Sequence, residues 1–472
     1  MHSVDNSWEE SPVIRNRRLV VAITVLGLVL AACGGGTSAT TEAQTDTTTT
    51  ASTEGTEAPE GTEPEASGDP IRIGTSLPLT GEFSVPAVKH RDGFQLCVDL
   101  INERGGMLGR PVELIVEDSR SDTQTSVNQY ERFITTNQVD VLFGTFSSAL
   151  TFPTSAVAEQ NGWVYPVPSG GAGRIWERGF QNLFYFQQGT AEVIGATPMR
   201  ALDHYRTEGL IPEDAFPQTA AVVTADDFFA LAIAAGLVGA EVAIPDTDVV
   251  LDLSPGWLAE FGVEAVVEDT WPVGQFNDWI NLANSIQAAD ADAVFVGTAS
   301  VEEVISMVDA FQTIGYQPDV LYMSQGAQSE FVDAVGDAAN GILVHVSYHP
   351  SANFESLLTG EAYGSADFID DFTAVHGRPP DEDEAIPFAV CQGMEQAILA
   401  TGGTDQAALR EFFATRTADD PVRTVLGEFR WDEKGLPIER SHILVQWQDG
   451  ELQVVYPAVE GSVDMIYPKP EW

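Results

Sequence analysis

Three stretches of this sequence set hydroxyls and glycines just beyond a predicted strand end. They are Pro78-Leu79-Thr80-Gly81-Glu82-Phe83, Gly144-Thr145-Phe146-Ser147-Ser148-Ala149-Leu150-Thr151 and Pro168-Ser169-Gly170-Gly171-Ala172-Gly173. Hydroxyls and free backbone N–H groups can converge there on an anion, and the electropositive starts of the following helices reinforce the attraction. Ser, Thr and Gly also serve as plain turn and cap residues, so one such loop carries little weight. Three at successive strand ends give a ligand site equal standing with that bland reading. Bond-breaking chemistry has no comparable support, because the chain carries no GxSxG elbow, Walker A loop, HExxH or strand-linked GxGxxG. The glycine-rich run at 169–173 lacks the Lys-Ser/Thr of a phosphate loop. No enzyme and no cofactor are expected. With no CxxC and no His/Cys cluster, zinc is unsupported. The run Asp381-Glu382-Asp383-Glu384 lacks the alternating ligands and central glycine of an EF-hand loop and reads as a solvated acidic loop. His345 and His349 lie near a strand end without a partner pattern for a metal or a base.

The elements that must hold those loops follow from periodicity. Short apolar runs at 71–77, 112–117, 139–144, 163–167, 219–224, 263–268, 293–297, 320–323 and 341–346 predict strands. Amphipathic stretches separate them: Val127, Tyr130 and Ile134 share one helical face, as do Val304, Val308 and Phe311. Asn102-Glu103-Arg104-Gly105-Gly106 stops the first helix with glycines suited to a left-handed cap. Strand–helix alternation of this kind implies parallel sheets covered on both faces. Nine strands over that span fit two three-layer Rossmann-like α/β lobes better than one. Small ligands of such sheets bind beyond the carboxyl ends of the strands, where the three loops stand. Towards the C-terminus, helices are expected near 385–414, then β segments at 427–431, 442–447 and 451–456. The last two are joined by Gln448-Asp449-Gly450 as a hairpin.

Charge narrows the partners. The 472 residues hold 71 Asp and Glu against 22 Lys and Arg, a net −49. From residue 70 onward 60 acids face 19 bases, a net −41, so the lobes themselves are acidic. Such a surface repels nucleic acid and anionic membranes alike. Attachment to a membrane needs another device, and the N-terminus supplies one. Arg15-Asn16-Arg17-Arg18 precedes an apolar run at 19–30, too short to span a bilayer but fitting a signal-peptide core. It ends in Leu30-Ala31-Ala32-Cys33-Gly34, which resembles a bacterial lipobox with Cys33 as the lipid acceptor. Two or three acyl chains suffice for stable anchoring. Residues 1–32 are thus expected to be a signal peptide. Residues 33–69, which hold no large apolar side chain beyond the lipobox, are expected to be a disordered tether. Export to an oxidising setting would allow Cys97 and Cys391 to pair, but both lie in apolar helical patterns, and buried free thiols are the favoured reading.

Several motifs, in order, carry a family resemblance. They are Ile73-Gly74-Thr75-Ser76-Leu77-Pro78-Leu79-Thr80-Gly81, then Ile101-Asn102-Glu103-Arg104-Gly105-Gly106-Met107-Leu108-Gly109-Arg110-Pro111, then Val116-Glu117-Asp118. Gly336-Asp337-Ala338-Ala339-Asn340-Gly341 and Gln446-Trp447-Gln448-Asp449-Gly450 follow. Over about 71–457 the chain resembles the type I solute-binding proteins of ABC importers, specifically the leucine/isoleucine/valine-binding branch. The resemblance implies two lobes joined by a three-strand hinge that close on a solute. Lobe 1 would span 70–188 plus 326–441, lobe 2 189–325 plus 442–457, and 458–472 would form a tail. It further implies a monomer that captures an amino-acid-like solute, branched-chain or hydrophobic, for membrane permease subunits at the outer face of the cytoplasmic membrane. An amide, urea or other neutral solute is the alternative. Carried over residue by residue, the family's carboxylate-holding serine falls on Ser148 and the next loop on Ser169, Gly170 and Gly171. The family's threonine falls on Gly171, which has no hydroxyl, so the grip on an amino group departs from the pattern. Thr80 and Ser147 on the same strand-end loops complete the expected polar set. The family's ammonium-pairing glutamate falls on Glu302, an acid that would equally suit a helix N-terminus. Ser300 and Glu303 form a capping-box pattern. Phe228 is the expected aromatic wall, with Phe229 beside it, and Phe83 is expected at the side-chain end of the pocket. The segment 241–258, with Asp246, Asp248 and Asp252, is longer than the family norm and reads as a surface excursion.

Overall fold

The computed structural model describes residues 66–244, 250–251, 256–459 and 461–472. The expected signal segment, Cys33, nearly all of the expected tether and the three aspartates of the 241–258 excursion lie outside them. From Ile71 the chain runs β1 (Ile71–Leu77), α1 (Ser84–Glu103), β2 (Val112–Asp118), α2 (Thr123–Thr135), β3 (Val141–Leu142), α3 (Ser148–Gln160), β4 (Tyr165–Val167) and β5 (Leu183–Tyr185). It crosses over into α4 (Ala191–Ile194), α5 (Ala196–Thr207), β6 (Thr219–Ala225), α6 (Phe228–Val238), β7 (Val242–Ala243), β8 (Val250–Leu251) and α7 (Trp257–Glu260). Next come β9 (Glu264–Trp271), α8 (Trp279–Ala289), β10 (Ala293–Gly297), α9 (Val301–Ile314), β11 (Val320–Met323), α10 (Ser329–Val335) and β12 (Leu343–Val346). A second crossing leads to β13 (Glu355–Leu358), β14 (Glu361–Gly364), α11 (Ser365–His376), α12 (Glu382–Thr401), α13 (Gln406–Ala414), β15 (Val422–Thr424) and β16 (Gly427–Phe429). A third returns it to the hairpin of β17 (Ile443–Gln448) and β18 (Glu451–Tyr456).

Two larger sheets follow from this path, beside two-stranded pairs. The first has the order β2-β1-β3, with β4 and β5 pairing separately in parallel. Pro166 removes a donor from β4 and Pro168 another just past its end, and the Gly144 amide bonds the Pro166 carbonyl (3.0 Å) in place of a regular ladder there. β3 pairs with β1 over only two residues rather than along the expected six. The second sheet has the order β18-β17-β12-β11-β10-β6-β9. Its central strands alternate faces. Ala220, Val222, Phe295 and Tyr322 point into a core shared with α5 and α6. Ala221, Val223, Val296 and Met323 point into one shared with α8, α9 and α10. Both lobes are therefore three-layer α/β units. The expected lobe boundary at 326 is corrected by this sheet: α10 and β12 pack and pair with the second lobe, so lobe 1 resumes near 347. The 458–472 segment packs on lobe 2, where the Lys469 amide bonds the Asp319 carbonyl (2.8 Å) and the Trp472 indole bonds Tyr316 (2.7 Å).

The cysteine expectation is also corrected. Cys97 on α1 and Cys391 on α12 form a disulfide, closing 294 residues of sequence separation. The two helices meet so closely that a Cβ at Gly93 would sit 2.1 Å from the Glu384 carbonyl oxygen. A glycine there permits the approach that brings the sulfurs together, a cross-link worth roughly 2–4 kcal/mol.

Candidate functional site

The site is built where the strand ends of the two sheets face each other. Leaving β3, the chain reaches Ser147 at the N-cap of α3, and Ser148 opens the helix. The Ser148 hydroxyl accepts the Ala172 amide (3.2 Å), which ties the loop after β4 to the helix start. Thr151, one turn on, donates to the Ser169 carbonyl (2.5 Å) and holds that loop from behind. On the second lobe Asp227 caps α6 by accepting the Phe229 and Ala230 amides at 2.8 and 2.9 Å. That cap sets which phenylalanine faces the cleft.

The enclosed space is about 30 Å³, bounded by Phe146, Ser147, Ser148, Ser169, Gly171, Tyr185, Gln187, Phe229, Ala299, Gln325, His345, Glu382, Asp383 and Ile386. That is room for one or two waters. The lobes stand shut, and a solute must enter by their separation. Ser147, Ser148, Ser169 and Gly171 of the expected set meet there. Gly170 lies behind the wall, its carbonyl taken by the Trp176 indole (2.9 Å). A Cβ on Gly171 would stand 3.2 Å from the Tyr185 hydroxyl and 3.4 Å from the Phe229 ring. The missing threonine thus leaves room that a tyrosine from β5 fills with its own hydroxyl.

Four expectations fall elsewhere. Phe228 turns away, its ring 5.1 Å from Phe152 and under the Arg174 guanidinium, and Phe229 takes the wall. Glu302 is exposed and accepts the Ser300 hydroxyl (3.2 Å). Thr80 is exposed and donates to Asp118 (2.8 Å). Phe83 is buried one layer out, packing on Phe146, Leu150 and Ala299. The expected capping box does not form either. Glu303 accepts the Thr298 hydroxyl (2.6 Å) and the Gly274 amide (3.2 Å), and Ser300 makes no side-chain cap.

The acidic run at 381–384 requires the largest correction. It is no solvated loop. Asp381 caps α12, its side chain accepting the Asp383 amide (2.9 Å), while Glu384 bonds back to the Asp381 amide (2.8 Å). Asp383 and Glu384 are buried, and Glu382 and Asp383 face the cleft. Glu382 accepts the Ser347 amide (2.8 Å) and Asp383 the Gln328 side-chain amide (2.9 Å). Burial, then the neighbouring carboxylates, pushes Glu382 well above the usual range and Asp383 up to about 7. His345 shares a hydrogen bond with Tyr322 (2.7 Å), and burial with the nearby His442 holds it well below its ordinary value. The lining therefore holds two carboxyls, a neutral imidazole and no Lys or Arg. Nothing periodic in the sequence flags Tyr185, Gln187, Gln325 or the α12 turn as neighbours.

With the cleft built, comparison decides the family. The sequence profile of the periplasmic binding proteins matches residues 70–451. The chain belongs to that family. A Leu/Ile/Val-binding protein homolog 7 from Brucella suis biovar 1 is 23% identical over 410 residues, covering 86% of this chain and 95% of the relative. Among solved structures, the isoleucine complex of the branched-chain amino acid transporter substrate-binding protein LivJ from Streptococcus pneumoniae superposes with a TM-score of 0.65. It is 19% identical and covers 82% of this chain and all of that one. The leucine-binding protein LivK from Thermotoga maritima gives 0.65 at 18% identity, covering 81% and 97%. The periplasmic-binding-protein fold expected from the sequence is the fold observed.

Proposed function

We propose that this chain is the solute-capturing subunit of an ABC importer and that its solute is an amino acid with an apolar side chain. The observation that carries the reading is the division of the cleft wall into three chemistries. Ser147 and Ser148 at the start of the 13-residue helix α3, with Ser169, offer hydroxyls and an electropositive helix end to a carboxylate. Glu382 and Asp383 are the carboxyls of the lining, and an ammonium brought against them would favour their ionised forms. Phe146, Phe229, Ala299 and Ile386 leave an apolar face for the side chain, with Phe83 behind Phe146. The names of the relatives support the same class. Permease subunits are the second partner, and the protein acts as a monomer.

A neutral amide or urea is the second reading. It is favoured by Gln187 and Gln325 on the lining and by carboxyls that burial keeps protonated, which can donate to a carbonyl. A thermal-shift panel separates the two. L-leucine, L-isoleucine and L-valine are expected to raise the melting temperature by several degrees at saturating concentration, and acetamide and urea to leave it unchanged. The reverse pattern hands the cleft to the neutral reading.

Placement follows from the lipobox motif. The protein is held through lipidated Cys33 at the outer face of the cytoplasmic membrane, with residues 34–69 as tether. Cys33→Ser, expressed in a bacterial host and fractionated, is expected to move from the membrane pellet to the soluble fraction. Retention in the pellet removes Cys33 as the anchor.

A further inference from the structure

Only three lysines occur in the chain, Lys89, Lys434 and Lys469. Lys89 projects from α1 of the first lobe, and its side chain is 3% exposed. Two carboxylates hold its ammonium from opposite sides of the cleft. Asp381, the N-cap of α12 on the same lobe, lies at 2.5 Å, and Glu330 on α10 of the second lobe lies at 2.7 Å. A few residues away Gln328, which precedes α10, donates to Asp383 across the same seam (2.9 Å). Lys89 is absent from the cleft lining, yet its partner Asp381 is the cap of the turn that presents Glu382 and Asp383 to the cleft.

The seam is rich in carboxyls and poor in cations. Asp381, Glu382, Asp383 and Glu384 come from the first lobe and Glu330 from the second, and the bases beside them are Lys89 and Arg378, the latter bonded to Glu384. Shutting the lobes brings Glu330 against the Lys89 ammonium, which already pairs with Asp381, so the approach of the second carboxylate is favourable. When the lobes part, Lys89 keeps Asp381 and loses Glu330. The contact with Glu330 is therefore made only in the shut form, and a contact of that kind shifts the balance between two forms by its own free energy.

We propose that Lys89 is the latch of the cleft, a positioning residue that sets the fraction of shut molecules through Glu330 and thereby sets solute affinity without touching the solute. The affinity half of this statement rests on the cleft being the solute site. The shut-fraction half does not.

The test uses Glu330→Gln as its first variant, because Glu330 is 45% exposed and its loss leaves Lys89 paired with Asp381. Lys89→Met and Lys89→Arg accompany it. Small-angle scattering of the solute-free proteins is expected to give a larger radius of gyration for Glu330→Gln and Lys89→Met, and an unchanged one for Lys89→Arg. Calorimetry with L-leucine is expected to show affinity roughly tenfold weaker in the first two. Their double variant should be no weaker than Lys89→Met alone, since both remove one contact. An unchanged radius of gyration in Glu330→Gln overturns the latch. So does an affinity loss confined to Lys89→Met with no change in dimensions, which would make Lys89 a local support of the α12 turn. If the dimensions respond but L-leucine binds to no variant nor to the parent, the latch stands and the assignment of the solute falls.

Discussion

At the scale of single residues, the cleft divides into a part that local pattern reveals and a part that it cannot. Ser147, Ser148, Ser169 and Gly171 sit one step beyond strand ends, and the rule that places ligands there needs no knowledge of the rest of the fold. Phe229 replaces Phe228 because the Asp227 cap fixes the phase of α6, a one-residue matter that apolar pattern does not resolve. Glu302 stands exposed outside the lining for a different reason. The acids that reach the cleft come from a helix start far along the chain, brought in by the second crossover. The substitution that tests them is Glu382→Gln, which keeps the size of the side chain and an acceptor for the Ser347 amide. If an ammonium is held there, affinity for L-leucine measured by calorimetry is expected to fall ten- to a hundredfold. That matches the roughly 1.5–3 kcal/mol of a charge-assisted bond. A neutral solute would bind the variant as well as the parent, and unchanged leucine affinity takes Glu382 out of the site.

At the scale of elements, strand positions were legible because each central strand is apolar on both faces. β1, β10 and β11 match their expected spans to the residue. The failures share a physical cause: they depend on what an element packs against. β3 is shorter than its apolar run, and beside it β4, which carries Pro166, meets the chain through the Gly144–Pro166 bond instead of a ladder. The acidic run at 381–384 looks solvated by composition, yet it is the capped first turn of a buried helix, where three acids in that turn face the positive end of the dipole. Cys97 and Cys391 each read correctly as inward-facing on an apolar helix. Their pairing depends on α1 lying against α12, which Gly93 allows and which no periodicity announces. Likewise β12 carries no mark of lobe membership, and only its antiparallel pairing with β17 and its parallel pairing with β11 assign it.

At the scale of the whole molecule, the surplus of acid is not confined to the surface. Burial raises Glu192 and Asp227 to about 6, Asp383 to about 7, Glu395 to about 8 and Glu384 to about 9. Each keeps its proton in the folded chain over a range where the unfolded chain has lost it, so each makes stability fall as pH rises through that range. The buried histidines act oppositely. Burial lowers His90 to about 4 and His442 to about 3, so unfolding takes up protons and stability rises with pH, but only up to the ordinary imidazole value near 6.5. Below that value the two groups offset each other, and above it Asp383, Glu395 and Glu384 act without opposition from the histidines. Calorimetric melting temperatures are therefore expected to decline between about pH 6.5 and 8, each fully titrating group contributing up to about 1.4 kcal/mol per pH unit. Glu395 isolates the effect, since it lies in the middle of α12, is fully buried and is absent from the cleft lining. Glu395→Gln removes its proton equilibrium at nearly constant volume, so the variant should melt close to the parent at pH 5 and progressively above it towards pH 8. Two parallel melting curves across that range would mean that Glu395 is already ionised in the folded protein and that burial there is offset by a partner.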